Sequence, residues 1–433
     1  MDKFVIKGGS ALSGEIVAAG NKNAALPILA ACLLTDEELV LTNVPRIRDI
    51  ETQVAVLEGL GVRASWGPDN ELRLQADDVA STAPDEALSA RIRASFLLAG
   101  PLLARFGEAR MPPPGGDFIG RRRLDPHLDA LLGMGARIEG QREVLISAPP
   151  GGLRPSGIFM DEPSVMATEN ALMAAALTPG PTTISNAACE PHVQDLARLL
   201  AKMGAQIDGI GSNVMTVHGR DRLGGAEHRV CADHIEVASF MALAAATGGE
   251  LRVRDAVPED LITIRRAFRR LGLTSMIEGD DVLVPPEQKL EVRDDLGDAI
   301  PKIDDGPWPA FPADLTSIAL ALATQARGTI LIFEKMFENR LFFVDKLVAM
   351  GARITLCDPH RAIVSGPSRL HGERLESPDI RAGMAMLIAA LCAGGTSEIG
   401  NVVQIDRGYE RIDERLRDLG ARIERVAVEP VPA

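Results

Sequence analysis

Aromatic residues are scarce in this sequence: they fill 3% of its 433 positions, with one tyrosine and two tryptophans. Stacking of bases needs aromatic faces, and a formal charge of -14 repels a polyanion, so nucleic acid is excluded as a partner on both counts. The five cysteines, Cys32, Cys189, Cys231, Cys357 and Cys392, form no CxxC pair and have no histidine pair beside them. That spacing supports no zinc site, so no metal is expected, and it suits reduced thiols in a cytoplasmic protein. No 18-residue apolar run is free of glycine or polar breaks, which predicts no membrane span, and MDKFVIKGGS alternates like a strand rather than a signal peptide. A Walker loop, a GxGxxG after a strand and an HExxH are all missing. Nucleotide hydrolysis, dinucleotide redox chemistry and zinc hydrolysis are therefore unsupported.

What the chain does contain is a repeat. Hydrophobic residues at 46% and charged residues at 24% are an ordinary globular mixture, and the length favours two domains. Leu or Met followed by Gly recurs at Gly61, Gly135, Gly204, Gly272, Gly351 and Gly420, with a helical pattern before each glycine and a short alternating strand after it. A glycine there supplies the left-handed residue that ends a helix. Each repeat reads as helix A, strand, loop, helix B, Gly, strand, turn, strand. Helix A, as in NAALPILAACLL, EVASFMALAAA and RAGMAMLIAALC, is apolar nearly all round and must be buried, whereas helix B keeps a charged face. Six such units predict an α/β fold of two similar domains, each of three repeats with helices enclosed by short sheets that have one wet face. The expected division is 22–231 against 1–21 plus 232–433, with the strand Lys3–Lys7 assignable to either half and the tail VAVEPVPA frayed.

Charge gathers at the expected helix starts. Lys22, Arg93, Arg381 and Arg407 at helix N-termini oppose the dipole, and an anion held by side chain and backbone amides accounts for them. Acids such as Asp49, Asp161, Asp195, Asp233, Asp314 and Asp406 have two readings there, as N-caps or as groups that move protons. The irregular stretch PPPGGDFIGRRRLD, Pro112–Asp125, sets Asp117 beside three consecutive arginines between two helical patterns. Equivalent ends of repeated units share a side of each domain, so these charges are expected to line a cleft between the domains. They suit a small substrate carrying phosphate and carboxylate.

KNAALPIL at Lys22–Leu29, PGGDFIG at Pro114–Gly120, FPADL at Phe311–Leu315, FENR at Phe337–Arg340 and DRGYERI at Asp406–Ile412 resemble the UDP-N-acetylglucosamine 1-carboxyvinyltransferase family, in family order and from Met1 to about Arg425. The resemblance implies a pair of inside-out α/β barrels. It also implies transfer of the enolpyruvyl group of phosphoenolpyruvate to the 3′-hydroxyl of UDP-N-acetylglucosamine, with release of phosphate, at the committed step of peptidoglycan synthesis, and no cofactor. Lys22, Arg122 and Arg407 then bind the phosphate and carboxylate of phosphoenolpyruvate, with Arg340 and Arg381 in support. Asp314 takes the proton of the sugar hydroxyl. Asn23, Arg93, Arg122, Arg123, Leu124, Asp125, Ser164, Val165, Asp314 and Met336 contact the UDP-sugar.

The principal departure from the family lies in the mobile loop at about 112–125, where most members carry Cys in place of Asp117. A carboxyl can donate the same proton, provided its pKa is raised, while the neighbouring arginines push the other way. Fosfomycin, which alkylates that cysteine in the family, is expected to find no nucleophile in this loop. Two other readings stay open at this point: an enolpyruvyl transferase with a different acceptor, such as shikimate 3-phosphate, and a silent homologue that only binds the UDP-sugar.

Overall fold

The computed structural model describes residues 2–427. They form two compact units: an N-terminal one, Gly20–Asp117 with Arg122–Cys231, and a C-terminal one, 2–19 with Phe118–Arg121 and 232–427. Each has its own apolar core.

The central helices follow from sequence. His234–Thr247 is buried continuously from His234 to Ala245, and Ile380–Cys392 from Ile380 to Leu391, because neither has a polar face to offer water. With Thr316–Ala323 they pack against one another in the middle of the C-terminal unit. Lys22–Ala30, Ala99–Phe106 and Val165–Ala176 are their counterparts in the N-terminal unit. Asn21, Asp233 and Asp379 cap three of these helices, each accepting two backbone amides. All six marker glycines have positive φ, from 84° at Gly272 to 117° at Gly204, as the helix ends require.

Among the described residues there are six sheets, three per unit, five of four strands and one of three. Their strands alternate buried and half-buried residues, as in Arg361–Gly366, so each sheet has an inner face on the helices. The repeat predicts three strands per sheet; the fourth is an addition. It runs parallel to the strand that follows the central helix: Gly157–Phe159 beside Gly180–Ser185, Lys302–Asp304 beside Gly328–Phe333, Arg374–Glu376 beside Thr396–Gly400. Segments of three residues carry too little periodicity to be seen in sequence.

Two of these parallel strands are exchanged. Gly14–Val17, which precedes the first central helix, pairs with Leu251–Arg254 of the fourth repeat, and Ala226–Arg229, which precedes the fourth central helix, pairs with Leu39–Thr42 of the first. The opening strand Asp2–Lys7 lies between Thr396–Gly400 and Arg422–Ala427, which places it in the C-terminal unit. The tail expected to fray begins inside that last strand, and its remaining residues, 428–433, lie outside the described ones. No helix of the described residues is long and apolar enough to cross a membrane.

Candidate active site

In the N-terminal unit Lys22 opens its helix, with only 10% of the side chain exposed. Its Nζ lies 2.7 Å from Asp49 Oδ2, itself 7% exposed. The ammonium at a helix N-terminus is thus held by an acid from the next helix, Arg48–Leu60. Asn23 donates its backbone N–H to the Asn21 cap at 2.9 Å. Arg93 begins the turn Arg93–Leu98 and pairs with no carboxylate among the described residues; its Nη2 donates to the carbonyls of Arg122 at 2.6 Å and Arg123 at 3.3 Å. Burial, and then the nearby Arg122, pull the Arg93 guanidinium down to about 10. Arg123 pairs with Asp125 at 3.2 Å, and Leu124 precedes the helix Asp125–Gly133. Below them His127 is buried against Phe96, with Asn170 Nδ2 2.8 Å from its Nδ1. Burial, with Arg93 and Arg122 close by, pushes it down to about 3. Ser164 stands at the start of Val165–Ala176, its carbonyl accepting from Thr168.

Asp117 lies half-buried in irregular backbone, not at a helix start as the repeat implies, because the helix after it begins only at Asp125. The two glycines before it permit close packing: a Cβ on Gly115 meets the Ala90 carbonyl oxygen at 1.9 Å, and one on Gly116 meets Arg93 Cβ at 2.9 Å. The next four residues, Phe118–Arg121, belong to the C-terminal unit. There Ile119 O accepts from Asn339 N at 3.0 Å, and Arg121 N donates to Glu338 Oε2 at 3.1 Å.

In the C-terminal unit Asp314, Arg340 and Arg381 come together. Arg340 Nη2 donates to Asp314 Oδ1 at 2.9 Å, and Arg381 donates from Nε and Nη2 to Oδ2, both at 3.0 Å. The guanidiniums are 2% and 4% exposed, whereas the Asp314 side chain is 28% exposed. Two buried cations thus fix and orient a carboxylate that is itself only half-buried. Burial pulls down on Arg381, but Asp314, Tyr409 and Asp233 more than offset it, so its pKa is raised. Tyr409, fully buried, meets Arg381 Nη1 at 3.2 Å and Ser239 Oγ at 3.1 Å. It is the one tyrosine of the chain, and that singularity is the signal a reading of the charged residues passes over. Met336 is exposed at the head of the Phe337–Arg340 turn.

Some expected placements differ. Arg407 follows the short helix Val403–Asp406 as its C-cap, where a cation is favoured, and its Nη1 donates to Gln404 Oε1 at 2.8 Å. FENR precedes a helix that begins only at Val344. Of the six acids proposed as N-caps only Asp233 is one. Asp195 lies inside Pro191–Lys202 and binds His228 and the Cys231 amide, and Asp406 pairs with Arg425 at 2.7 Å.

The fold is that of enolpyruvyl transferases: the structure of the enolpyruvyl transferase NikO from Streptomyces tendae superposes with a TM-score of 0.88 at 24% identity, covering 99% of each chain. The EPSP synthase (3-phosphoshikimate 1-carboxyvinyltransferase) family matches residues 6–416. Curated proteins of Bradyrhizobium diazoefficiens, 57% identical over 98% of both chains, and of Treponema denticola, 54% identical over 98% of this chain and 99% of its own, are both UDP-N-acetylglucosamine 1-carboxyvinyltransferases. The chain belongs to the UDP-N-acetylglucosamine 1-carboxyvinyltransferase family, within the wider EPSP synthase family.

Proposed function

We propose that the protein transfers the enolpyruvyl group of phosphoenolpyruvate to the 3′-hydroxyl of UDP-N-acetylglucosamine, releasing phosphate, as the committed step of peptidoglycan synthesis in the cytoplasm. The observation that carries the reading is Asp314, a half-buried carboxylate held by the two buried guanidiniums of Arg340 and Arg381.

In the first step Asp314 accepts the proton of the sugar hydroxyl while its oxygen bonds to C2 of phosphoenolpyruvate and C3 gains a proton, which Asp117 is placed in sequence to give. The tetrahedral adduct then expels phosphate. Loss of a proton from the new methyl group restores the double bond. Lys22, Arg122 and Arg407 hold the phosphate and carboxylate, and cations fixed before the reaction stabilise the departing phosphate without reorganising. Asn23, Arg93, Arg123, Leu124, Asp125, Ser164, Val165 and Met336 hold the UDP-sugar.

Phosphate release from phosphoenolpyruvate is measured with UDP-N-acetylglucosamine and, in parallel, with shikimate 3-phosphate. Release that depends on the UDP-sugar is expected; release with shikimate 3-phosphate alone, or with neither, sinks the reading. Fosfomycin is expected to leave turnover intact, and Asp117→Cys to keep turnover while becoming open to inactivation.

A further inference from the structure

Asp305 and Glu334 are fully buried acids that the reaction above does not use. The parallel strands Lys302–Asp304 and Gly328–Phe333 end in register, Asp304 opposite Phe333, so the next residue of each, Asp305 and Glu334, emerges at the same sheet end. There the Asp305 carboxylate lies close enough to push the Glu334 carboxyl up. Their other oxygens hold backbone: Asp305 Oδ1 accepts Lys335 N at 2.5 Å, and Glu334 Oε1 accepts Met336 N at 3.2 Å and Phe337 N at 3.1 Å. Asp305 Oδ2 and Glu334 Oε2 are buried and have no hydrogen-bond partner among the described residues. Two carboxylates cannot hydrogen-bond without a proton between them, and one shared proton satisfies both oxygens.

The backbone so held is the start of the turn that carries Arg340 to Asp314 and presents Glu338 and Asn339 to the Ile119–Arg121 segment. Resting on the reading of Asp314 and Arg340 as site residues, we propose that Asp305 and Glu334 are positioning residues of the transfer reaction: a carboxyl–carboxylate clamp that sets the Met336–Arg340 turn while one proton is shared. Loss of that proton places two like charges close together in a dry pocket. Glu334 then leaves the Met336 and Phe337 amides, and Arg340 loses its setting.

The groups facing the clamp are Arg340, whose buried Nε has no acceptor, the Thr316 hydroxyl, the Lys335 amide and the Glu334 carbonyl's partner His360, 2.7 Å away. Lys335 Nζ is turned to Asp304 at 2.8 Å. Burial, against the pull of Arg340 and with the push of Asp305, raises Glu334 to about 8. The clamp is therefore closed at neutral pH and opens on the alkaline side.

The full-length enzyme, Glu334→Gln and Glu334→Ala are compared from about pH 6.5 to about pH 9.5, by kcat and KM and by hydrogen exchange of the Met336 and Phe337 amides corrected for intrinsic rate. Wild-type kcat/KM is expected to fall about tenfold per pH unit above an inflection near pH 8, with protection of the two amides lost in step. Glu334→Gln keeps an acceptor for both amides and a permanent N–H for Asp305, so it is expected to flatten both alkaline limbs. Glu334→Ala is expected to lower kcat at least about 30-fold at neutral pH with its circular dichroism unchanged. An alkaline limb in Glu334→Gln equal to that of the wild type, or wild-type kcat in Glu334→Ala, overturns the proposal. Absence of UDP-sugar-dependent turnover in the wild type overturns the proposed function instead, and the exchange measurement still decides whether the clamp exists.

Discussion

At the start of the Lys22–Ala30 helix a buried lysine faces a buried carboxylate. At the start of the Ile380–Cys392 helix the arrangement is turned outward: Arg381 and Arg340 are buried, and the acid they share is the exposed partner. Both ends put a cation where the helix dipole disfavours it, and both recruit an acid to hold it. The difference lies in how far the acid is open to solvent, 7% at Asp49 and 28% at Asp314. The buried pair ties stability, as well as the setting of Lys22, to its integrity, whereas the half-buried carboxylate of the C-terminal unit ties chemistry to it.

The same contrast runs through the buried titrating groups. In the N-terminal unit His127 is kept neutral, so the unfolded chain takes up a proton below about pH 6.5 that the folded one refuses down to about 3. Acid therefore destabilises it. In the C-terminal unit Asp233, pushed by burial up to about 6 against the pull of Arg381, keeps a proton that the unfolded chain has released. Rising pH destabilises that unit, over the span from the ordinary 3.8 to about 6.

The largest effect belongs to the half-buried carboxylate: Asp314→Asn is expected to lower kcat about 10³-fold with the protein still folded, and kcat within tenfold of wild type breaks the contrast. Next, Lys22→Met removes the ammonium from beside the buried Asp49 carboxylate and is expected to cost about 3 kcal/mol in denaturant unfolding, much of it restored by Lys22→Met with Asp49→Asn. Equal stability of the two variants removes the buried-pair account. A smaller effect follows from acid: as pH falls from about 6.5 to about 4, the wild type is expected to lose more unfolding free energy than His127→Gln, and parallel losses refute the neutral-histidine argument. Smallest is Asp233→Asn, which keeps an N-cap and is expected to erase only the decline in stability between about pH 4 and about pH 6, read in the same denaturant series.

Much of this was legible in the chain because helix ends are local events. Gly61 and its five equivalents announce themselves by what precedes and follows them, and an all-apolar helix such as Ile380–Cys392 has nowhere to go but inside. The exchange of Gly14–Val17 and Ala226–Arg229 between sheets is not local: each segment looks alike whichever sheet it joins. The candidate site divides the same way. Charges at helix starts stand out, but the partnership of Asp314 with Arg381 spans 67 positions, and nothing in either segment names the other. Asp305 and Glu334 were invisible for a further reason, since strand-end acids look solvated until the register of Asp304 with Phe333 shows them side by side. Arg407 misled because the helix boundary fell on its other side.

The strand Asp2–Lys7 has a consequence for synthesis. It is translated before either neighbour in the sheet, and these lie up to 425 positions further on (Asp2 opposite Ala427), which at ribosomal speed means a wait of about 20 to 85 s. For that time Phe4 and Ile6 have no core and both strand edges are bare. Meanwhile the whole of the N-terminal unit has been made and can fold as a body. The half of the molecule that is begun first is completed last, and the charged Lys3 and Lys7 that alternate with Phe4 and Ile6 serve as its guard against the wrong neighbours in between.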